Sequence, residues 1–294
     1  MTDSNTTKAG IVALAGAPNV GKSTLLNRIL RRRLSIATHK PQTTRIRVVG
    51  VECRGEVQIV FSDTPGIHSP HGPVHERMVG TARAEVRGAD LVCWLVGANR
   101  GLSRADRKEL KSLAGRELIV VINKMDLVAH EALLPIIEGV SALAPGAEII
   151  PISALEDENV ETLISALSAR MPEGPWLYPE DMLTDVPERT LVAELVREQV
   201  FRQIERELPY HVAVKTELFE EREPKTYIEA SIYIDSTSAK KVLVGKDGQR
   251  IKSIGRAARK EIEQLLERPV YLQLFVRVKK DWQTDRRFLD ELGL

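Results

Sequence analysis

The stretch Gly16-Ala17-Pro18-Asn19-Val20-Gly21-Lys22-Ser23 constrains this 294-residue chain more than any other. It follows an apolar run at 11–15 and opens an amphipathic stretch at 22–30. Strand, glycine-rich loop and helix thus come in the order a phosphate-cradling loop requires. The glycines let backbone N–H groups close around phosphate oxygens, and the helix N-terminus adds its partial positive charge. Lys22 is expected to reach the β and γ phosphates, and the Ser23 hydroxyl, followed by Thr24, to coordinate magnesium. Alone, the loop specifies a nucleoside triphosphate but not its base.

The pattern around the loop sets the fold class. Short apolar runs at 11–15, 46–51, 57–62, 91–97, 118–122 and 149–152 alternate with helical patterns at 22–30, 74–87, 104–113, 131–144 and 160–170. That alternation predicts an α/β domain with a mostly parallel six-stranded sheet covered on both faces. The pair 46–51 and 57–62, split by Cys53-Arg54-Gly55-Glu56, reads as a hairpin adding one antiparallel edge strand. Residues 1–9 read as a flexible N-terminus, 10–170 as this domain, and the proline-rich 171–189 as a linker. A smaller α+β domain is expected over 190–294: a helix at 191–207, strands at 211–219 and 227–234, a helical pair interrupted at 245–248, and a strand at 270–277.

Composition narrows the setting. A net charge of +1 gives the whole molecule no nucleic-acid bias, so any basic surface must be local. Cys53 and Cys93 sit in apolar runs without metal-ligand spacing and read as buried thiols of a reducing compartment. No apolar run approaches the roughly 18 residues that span a membrane, and the first ten residues lack a signal-peptide pattern. A cytoplasmic protein is the expectation.

Three further motifs end strands, where ligands bind in open α/β sheets. Asp63-Thr64-Pro65-Gly66 places a carboxylate for magnesium and a Gly66 N–H to sense the γ-phosphate. Asn123-Lys124-Met125-Asp126 identifies the base: a carboxylate at Asp126 accepts two hydrogen bonds from the N1–H and 2-amino group of guanine. Adenine offers neither donor and would leave a buried Asp126 unpaired. Asn123 is expected to brace the loop, Lys124 to lie along the base, and the Ala154 N–H of Ser153-Ala154-Leu155 to face guanine O6.

In order and spacing these stretches resemble the translation-factor class of GTPases over residues 10–170. Within that resemblance Lys40-Pro41-Gln42-Thr43-Thr44-Arg45 is similar to the first switch segment. One of its threonines would complete the magnesium shell, Thr44 being preferred over Thr43 by alignment of the Thr-Thr-Arg run. Ile67 stands where Ras-type enzymes carry a water-orienting glutamine and cannot polarise water. The resemblance is to the subgroup with a hydrophobic residue there. In several of its members an asparagine matching Asn19 helps bind potassium, while Asn19 also fits a plain turn. Lys22, Thr44, Gly66 and Asn19 are the catalytic candidates. His68, His71 and His75 read as solvated residues of a loop rather than bases.

In the second domain Gly245-Lys246-Asp247-Gly248 forms a GxxG turn between two helices. Val242, Val244, Ile251 and Ile254 are expected to pack beneath it. Residues 240–260 hold eight basic side chains against one acid. Such a turn admits a nucleic-acid backbone closely, and flanking cations attract its phosphates. The pattern resembles a type II KH domain, so Val244, Gly245, Lys246, Asp247, Gly248, Gln249, Arg250, Ile251, Lys252 and Arg256 are expected to touch RNA.

The combination resembles bacterial ribosome-assembly GTPases that end in a KH domain, across about residues 10–292. Pro179-Glu180-Asp181, Glu207-Leu208-Pro209-Tyr210 and Trp282 extend the match. The resemblance implies a monomer that binds GTP and GDP with magnesium, the 3′ end of small-subunit ribosomal RNA and the assembling small subunit. It also implies peripheral association with the inner membrane. GTP would order the segments around Thr44 and Gly66 and bias the KH domain. Two rival readings are a GTPase acting on another RNA or particle, and an RNA-binding scaffold with a vestigial GTP site.

Overall fold

The computed structural model describes residues 6–38, 40, 43–67 and 72–294. The chain divides into two compact units, one carried mainly by residues up to Asp185 and the other mainly by Val186–Leu294.

In the first unit the elements run β1 (Lys8–Gly16), α1 (Lys22–Leu30), β2 (Val48–Arg54), β3 (Val57–Asp63), α2 (Pro73–Gly88), β4 (Leu91–Gly97), α3 (Arg104–Leu113), β5 (Leu118–Asn123), α4 (Leu134–Leu143), β6 (Glu148–Pro151) and α5 (Val160–Ala169). They build a six-stranded sheet in the order β2-β3-β1-β4-β5-β6, with β2 antiparallel to β3 and the rest parallel. The expected hairpin is present, turning at Gly55. β4 and β5 are buried at every residue, which is why they read as unbroken apolar runs rather than alternating ones. One core gathers round Trp94, with Val92, Val96, Val120 and Ile122 facing Leu110, Leu113, Ile136 and Val140 of the helices.

Two segments differ from their sequence readings. Residues 7–9, expected in a flexible N-terminus, are tied down: Lys8 N–H donates to Glu56 O at 2.9 Å, Gly174 N–H donates to Thr7 O at 3.0 Å, and Thr7 Oγ1 donates to Gly174 O at 2.8 Å. The proline-rich stretch carries no helix or strand up to Pro187, yet it is no free tether. Gln58 binds the Tyr178 carbonyl at 2.8 Å and the Leu177 and Tyr178 N–H groups at 2.8 and 3.0 Å. Val51 N–H donates to Leu183 O at 2.9 Å, and Thr184 Oγ1 to Val49 O at 2.6 Å. Prolines abolish regular pairing, but the segment still satisfies polar groups along β2 that an edge strand leaves open.

The second unit runs α6 (Glu188–Gln203), β7 (Val212–Arg222), β8 (Lys225–Ile234), α7 (Thr237–Val244), α8 (Gln249–Leu266), β9 (Val270–Val278) and α9 (Arg286–Glu291). Its sheet is β7-β8-β9, antiparallel then parallel. Val192, Val196 and Val200 of α6 and Ile254, Ala258 and Ile262 of α8 cover one face, over Ile228, Ala230 and Ile232. α6 begins at Glu188, inside the stretch read as linker, and ends four residues before the expected 207. α9 was not expected; Phe288 and Leu289 bury it.

Candidate functional site

The four strand-end motifs converge at one edge of the first sheet, and Asn123 joins three of them. Its Nδ2 donates to Val20 O at 2.8 Å, and its Oδ1 accepts from Ala154 N–H at 3.0 Å. One buried amide therefore ties the phosphate loop, its own motif and the Ser153-Ala154-Leu155 turn together. This alters one expectation: the Ala154 N–H foreseen on guanine O6 is engaged by Asn123. Lys124 braces the same region, donating from Nζ to Asn19 O at 2.7 Å. Half-buried, it has its pKa lowered by desolvation and then by Arg100, against the pull of Asp126.

The phosphate loop runs from Gly16 through Ala17, Pro18, Asn19 and Val20 to Gly21, with Asn19 in the left-handed region at φ 62°. α1 starts at Lys22 with no side-chain cap and no acid in its first turn, which includes Ser23 and Thr24. Its N-terminal amides thus remain available to an anion. Lys22 is buried and curls back over the loop, with Nζ 3.0 Å from Ala17 O. Burial lowers its pKa to about 8, with Asp63 and Asp106 opposing that shift. Gly66 is required by close approach: a Cβ there would lie 2.7 Å from Pro18 Cα. Thr64 is pinned through Oγ1 to Leu14 O, and Pro65 follows it.

Three oxygens form the cluster expected for a divalent cation. Ser23 Oγ donates to Asp63 Oδ2 at 2.7 Å and lies 2.8 Å from Thr44 Oγ1. Asp63 is fully buried, and its Oδ1 has no hydrogen-bond partner among the described residues. Desolvation raises its pKa, opposed by Lys22 and then by the Ser23 hydroxyl. Hard oxygen donors with one orphaned carboxylate oxygen suit magnesium. Thr43, by contrast, turns its hydroxyl to Lys40 O at 2.8 Å and to Thr38. The geometry brings Thr44, not Thr43, to Ser23.

Ile67 lies in the core beside Trp94, its N–H bonded to Gly16 O at 3.0 Å. Asp126 stands exposed in the turn Met125–Leu127, with Met125 buried beneath it. The reading of Asp126 as buried is therefore corrected: its carboxylate is open to solvent. Leu155 is also exposed, while Ser153 is buried. His75 lies on α2; His68 and His71 fall outside the described residues. Sequence reasoning missed Arg28, whose guanidinium binds the Ala154 and Leu155 carbonyls. It also missed Arg100, which binds Pro18 O at 3.1 Å. Neither lies in a motif, and no local signal marks them.

In the second unit, Gly245 (φ 73°) and Gly248 (φ 72°) both take backbone angles that L side chains rarely adopt, flanking the turn that holds Asp247. Beside Gly245, a Cβ would also lie 2.8 Å from Arg250 Cβ. Lys246, Gln249, Arg250, Lys252 and Arg256 are exposed around the turn. Arg250 is partly committed, its Nη1 donating to Val242 O at 2.6 Å. Beneath the turn Ile254 is fully buried and Val244 and Ile251 are half-buried, but Val242 is 47% exposed and does not pack there as expected. It lies on the outer side of α7.

Comparison with known proteins bears on both units. A family model described as a 50S ribosome-binding GTPase matches residues 11–124, and a KH-domain model matches 207–283. GTPase Era of Geotalea uraniireducens (strain Rf4) is 44% identical over 289 residues, 97% of each chain. GTPase Era of Geobacter metallireducens is 45% identical over 98% of each.

The chain belongs to the Era family of GTPases.

Two solved Era structures cover 98% of this chain at 39% identity, each with a TM-score of 0.93. One is a point variant of Aquifex aeolicus Era bound to GDP and AlF4−; the other is Era with MgGDPNP and nucleotides 1506–1542 of 16S ribosomal RNA. Era-family architecture thus accounts for both the sheet with its nucleotide motifs and the KH unit with its GxxG turn. No helix among the described residues is long and apolar enough to cross a membrane.

Proposed function

We propose that this protein is a magnesium-dependent GTPase that binds the 3′ end of small-subunit ribosomal RNA and acts in assembly of the small subunit. The observation that carries the reading is the joining of three motif loops by Asn123, in a chain whose full-length relatives are Era GTPases. The description of the first family model names the 50S particle, but that model covers only residues 11–124. The likeness to Era bound to 16S ribosomal RNA spans 98% of the chain, KH unit included, and so weighs more.

In this reading the loop amides of residues 16–24 and the Lys22 ammonium hold the β and γ phosphates. Asp126 accepts from guanine, with Lys124 beside the base. Ser23, Thr44 and Asp63 hold the magnesium ion, which supplies charge neutralisation on the phosphate oxygens. The Gly66 N–H meets the γ-phosphate as the second switch closes. Ile67 lies in the core and gives the attacking water nothing, so unassisted turnover is slow. By the resemblance, Asn19, which is exposed in a left-handed turn, would help hold potassium, and that ion would supply the positive charge that an arginine finger brings elsewhere. The exposed cations around Gly245–Gly248 take the RNA backbone. Cytoplasmic residence, with peripheral association at the inner membrane, rests on the family alone.

The test is to crosslink the protein to RNA in cells with GTP loaded, sequence the RNA, and measure GTP hydrolysis with and without magnesium. The 3′ end of small-subunit ribosomal RNA and a metal-dependent rate are expected. Enrichment of transfer RNA instead, or absent hydrolysis, would replace this reading by one of its rivals.

A further inference from the structure

We infer that Arg100, which lies outside every nucleotide motif, is a positioning residue for the phosphate loop: by holding the Pro18 carbonyl it keeps the Asn19 N–H turned toward the phosphates. The inference rests on the GTP reading above. Along the loop each carbonyl has its own partner. Gly16 O accepts from Ile67 N–H at 3.0 Å, and Ala17 O from Lys22 Nζ at 3.0 Å. Pro18 O accepts from Arg100 Nη1 at 3.1 Å, Asn19 O from Lys124 Nζ at 2.7 Å, and Val20 O from Asn123 Nδ2 at 2.8 Å. Gly21 O closes the series by accepting from Leu25 N–H of α1 at 2.9 Å. These peptide bonds are trans, and a trans peptide sets its N–H opposite its C=O. Drawing the carbonyls of Pro18, Asn19 and Val20 onto side chains of other loops therefore sends the amides of Asn19, Val20 and Gly21 to the opposite side, the hollow in which an anion sits.

Of these three peptides, Pro18-Asn19 is the one most ready to turn over. The Pro18 ring fixes its own φ, and Asn19 follows in the same turn at φ 62°. Proline at the second position of a turn with a positive φ at the third describes type II, which becomes type I when the peptide between them rotates by about half a turn. Type I has no positive φ, so the rotation relieves an asparagine of a strain that a glycine does not feel. It would also swing the Pro18 oxygen in among the phosphates and the Asn19 N–H out. Pro18 has no N–H to take its place. Arg100 opposes that rotation from a firm base. The Arg100 and Gly101 N–H groups both bond to Gly97 O, at 3.0 and 3.1 Å, and Ala98 N–H bonds to Asn123 O at 2.8 Å. The end of β4 thus carries a fixed turn, and from it the Arg100 side chain reaches the loop.

The experiment titrates a fluorescent GDP analogue against the full-length wild type, Arg100→Ala, Asn19→Gly and the double variant, in sodium buffer with magnesium. Thermal unfolding of each protein is recorded without nucleotide. Arg100→Ala is expected to weaken binding about fivefold, a charge-assisted hydrogen bond discounted for the exposure of its side chain, and to leave the unfolding midpoint in place. In the Asn19→Gly background the same substitution should cost under about twofold, because glycine takes the positive φ without strain. If Arg100→Ala binds within about twofold of wild type, that comparison alone overturns the proposal, whatever becomes of the unfolding midpoint. An equal loss in both backgrounds would overturn it as well, leaving only attraction between the guanidinium charge and the phosphates. A wild-type protein that does not take up the GDP analogue would instead overturn the GTP reading itself.

Discussion

The two phosphate-binding regions of this protein share their first design step and differ in the rest. Each places a glycine-rich turn at the start of a helix without an acidic first turn, at Gly16–Gly21 before α1 and at Gly245–Gly248 before α8. In the nucleotide region the polar groups are then withdrawn from water and wired to one another: Lys22, Asp63 and Asn123 are buried, and Asn123 bonds two other loops. In the KH unit the cations stay in solvent, and among them Arg250 has a structural bond, to Val242 O. Burial makes each hydrogen bond selective, because a wrong ligand leaves a desolvated partner unpaired. Exposed cations give summed, screened attraction to phosphates, and base identity has to be read by other contacts. The lesson is that one local motif serves either a buried, wired site or an open, charged one, and what surrounds it decides which.

The strongest attempt to break the comparison is Asp126→Asn. It should weaken GTP relative to wild type by about four orders of magnitude, and favour a base with a carbonyl in place of the 2-amino group. Titration with GTP and its xanthine counterpart reads this, and a loss under tenfold would mean that Asp126, exposed before ligand arrives, does not choose the base.

Gly248→Asp comes next. A Cβ there meets nothing nearer than 4.0 Å, and aspartate tolerates the left-handed region at φ 72° better than most side chains, so the unit should fold with modest strain, while a carboxylate in the turn repels the RNA backbone. RNA affinity should fall by roughly a hundredfold, with GTP affinity unchanged, as filter binding and nucleotide titration on one preparation would reveal. Asn123→Ala should cost about 2–4 kcal/mol of stability in thermal or urea unfolding, since it strands the Val20 carbonyl and the Ala154 N–H. The corresponding truncation in the KH unit, Lys252→Ala, should cost almost none.

Salt sharpens the contrast further. RNA binding should lose affinity with a log–log slope of about −0.7 per phosphate engaged, and Lys252→Ala should flatten that slope by about the same amount. Hydrolysis should run several-fold faster in potassium than in sodium, an advantage that Asn19→Asp alters; equal rates in the two salts, untouched by that variant, would remove the cation from the mechanism.

Much of the first unit was legible because its evidence is local. An apolar run ending in Asp63 or Asn123 names both a strand and its ligand-facing end, and a strand forms at each of the six runs, β2 lying two to three residues later than its run and taking in Cys53 and Arg54 of the expected turn. The GxxG turn was legible for the same reason, since positive φ at both glycines is a property of the turn itself. Less legible were Val242, whose apolar character is the same on either side of α7, and α9, a six-residue helix too short to show a period.

By itself the sequence determined the nucleotide class, the order of the motifs, the two-unit plan and the basic surface, all carried by residues close together in the chain. Only the tertiary structure decided that Thr44 rather than Thr43 meets Ser23, that Ala154 N–H is taken by Asn123, and that Asp126 stands exposed. The first two are settled by a partner on another element, such as Asn123 for Ala154, 31 residues away. Periodicity and spacing describe the path of a chain, whereas a hydrogen bond between distant residues exists only once packing has brought its two ends together.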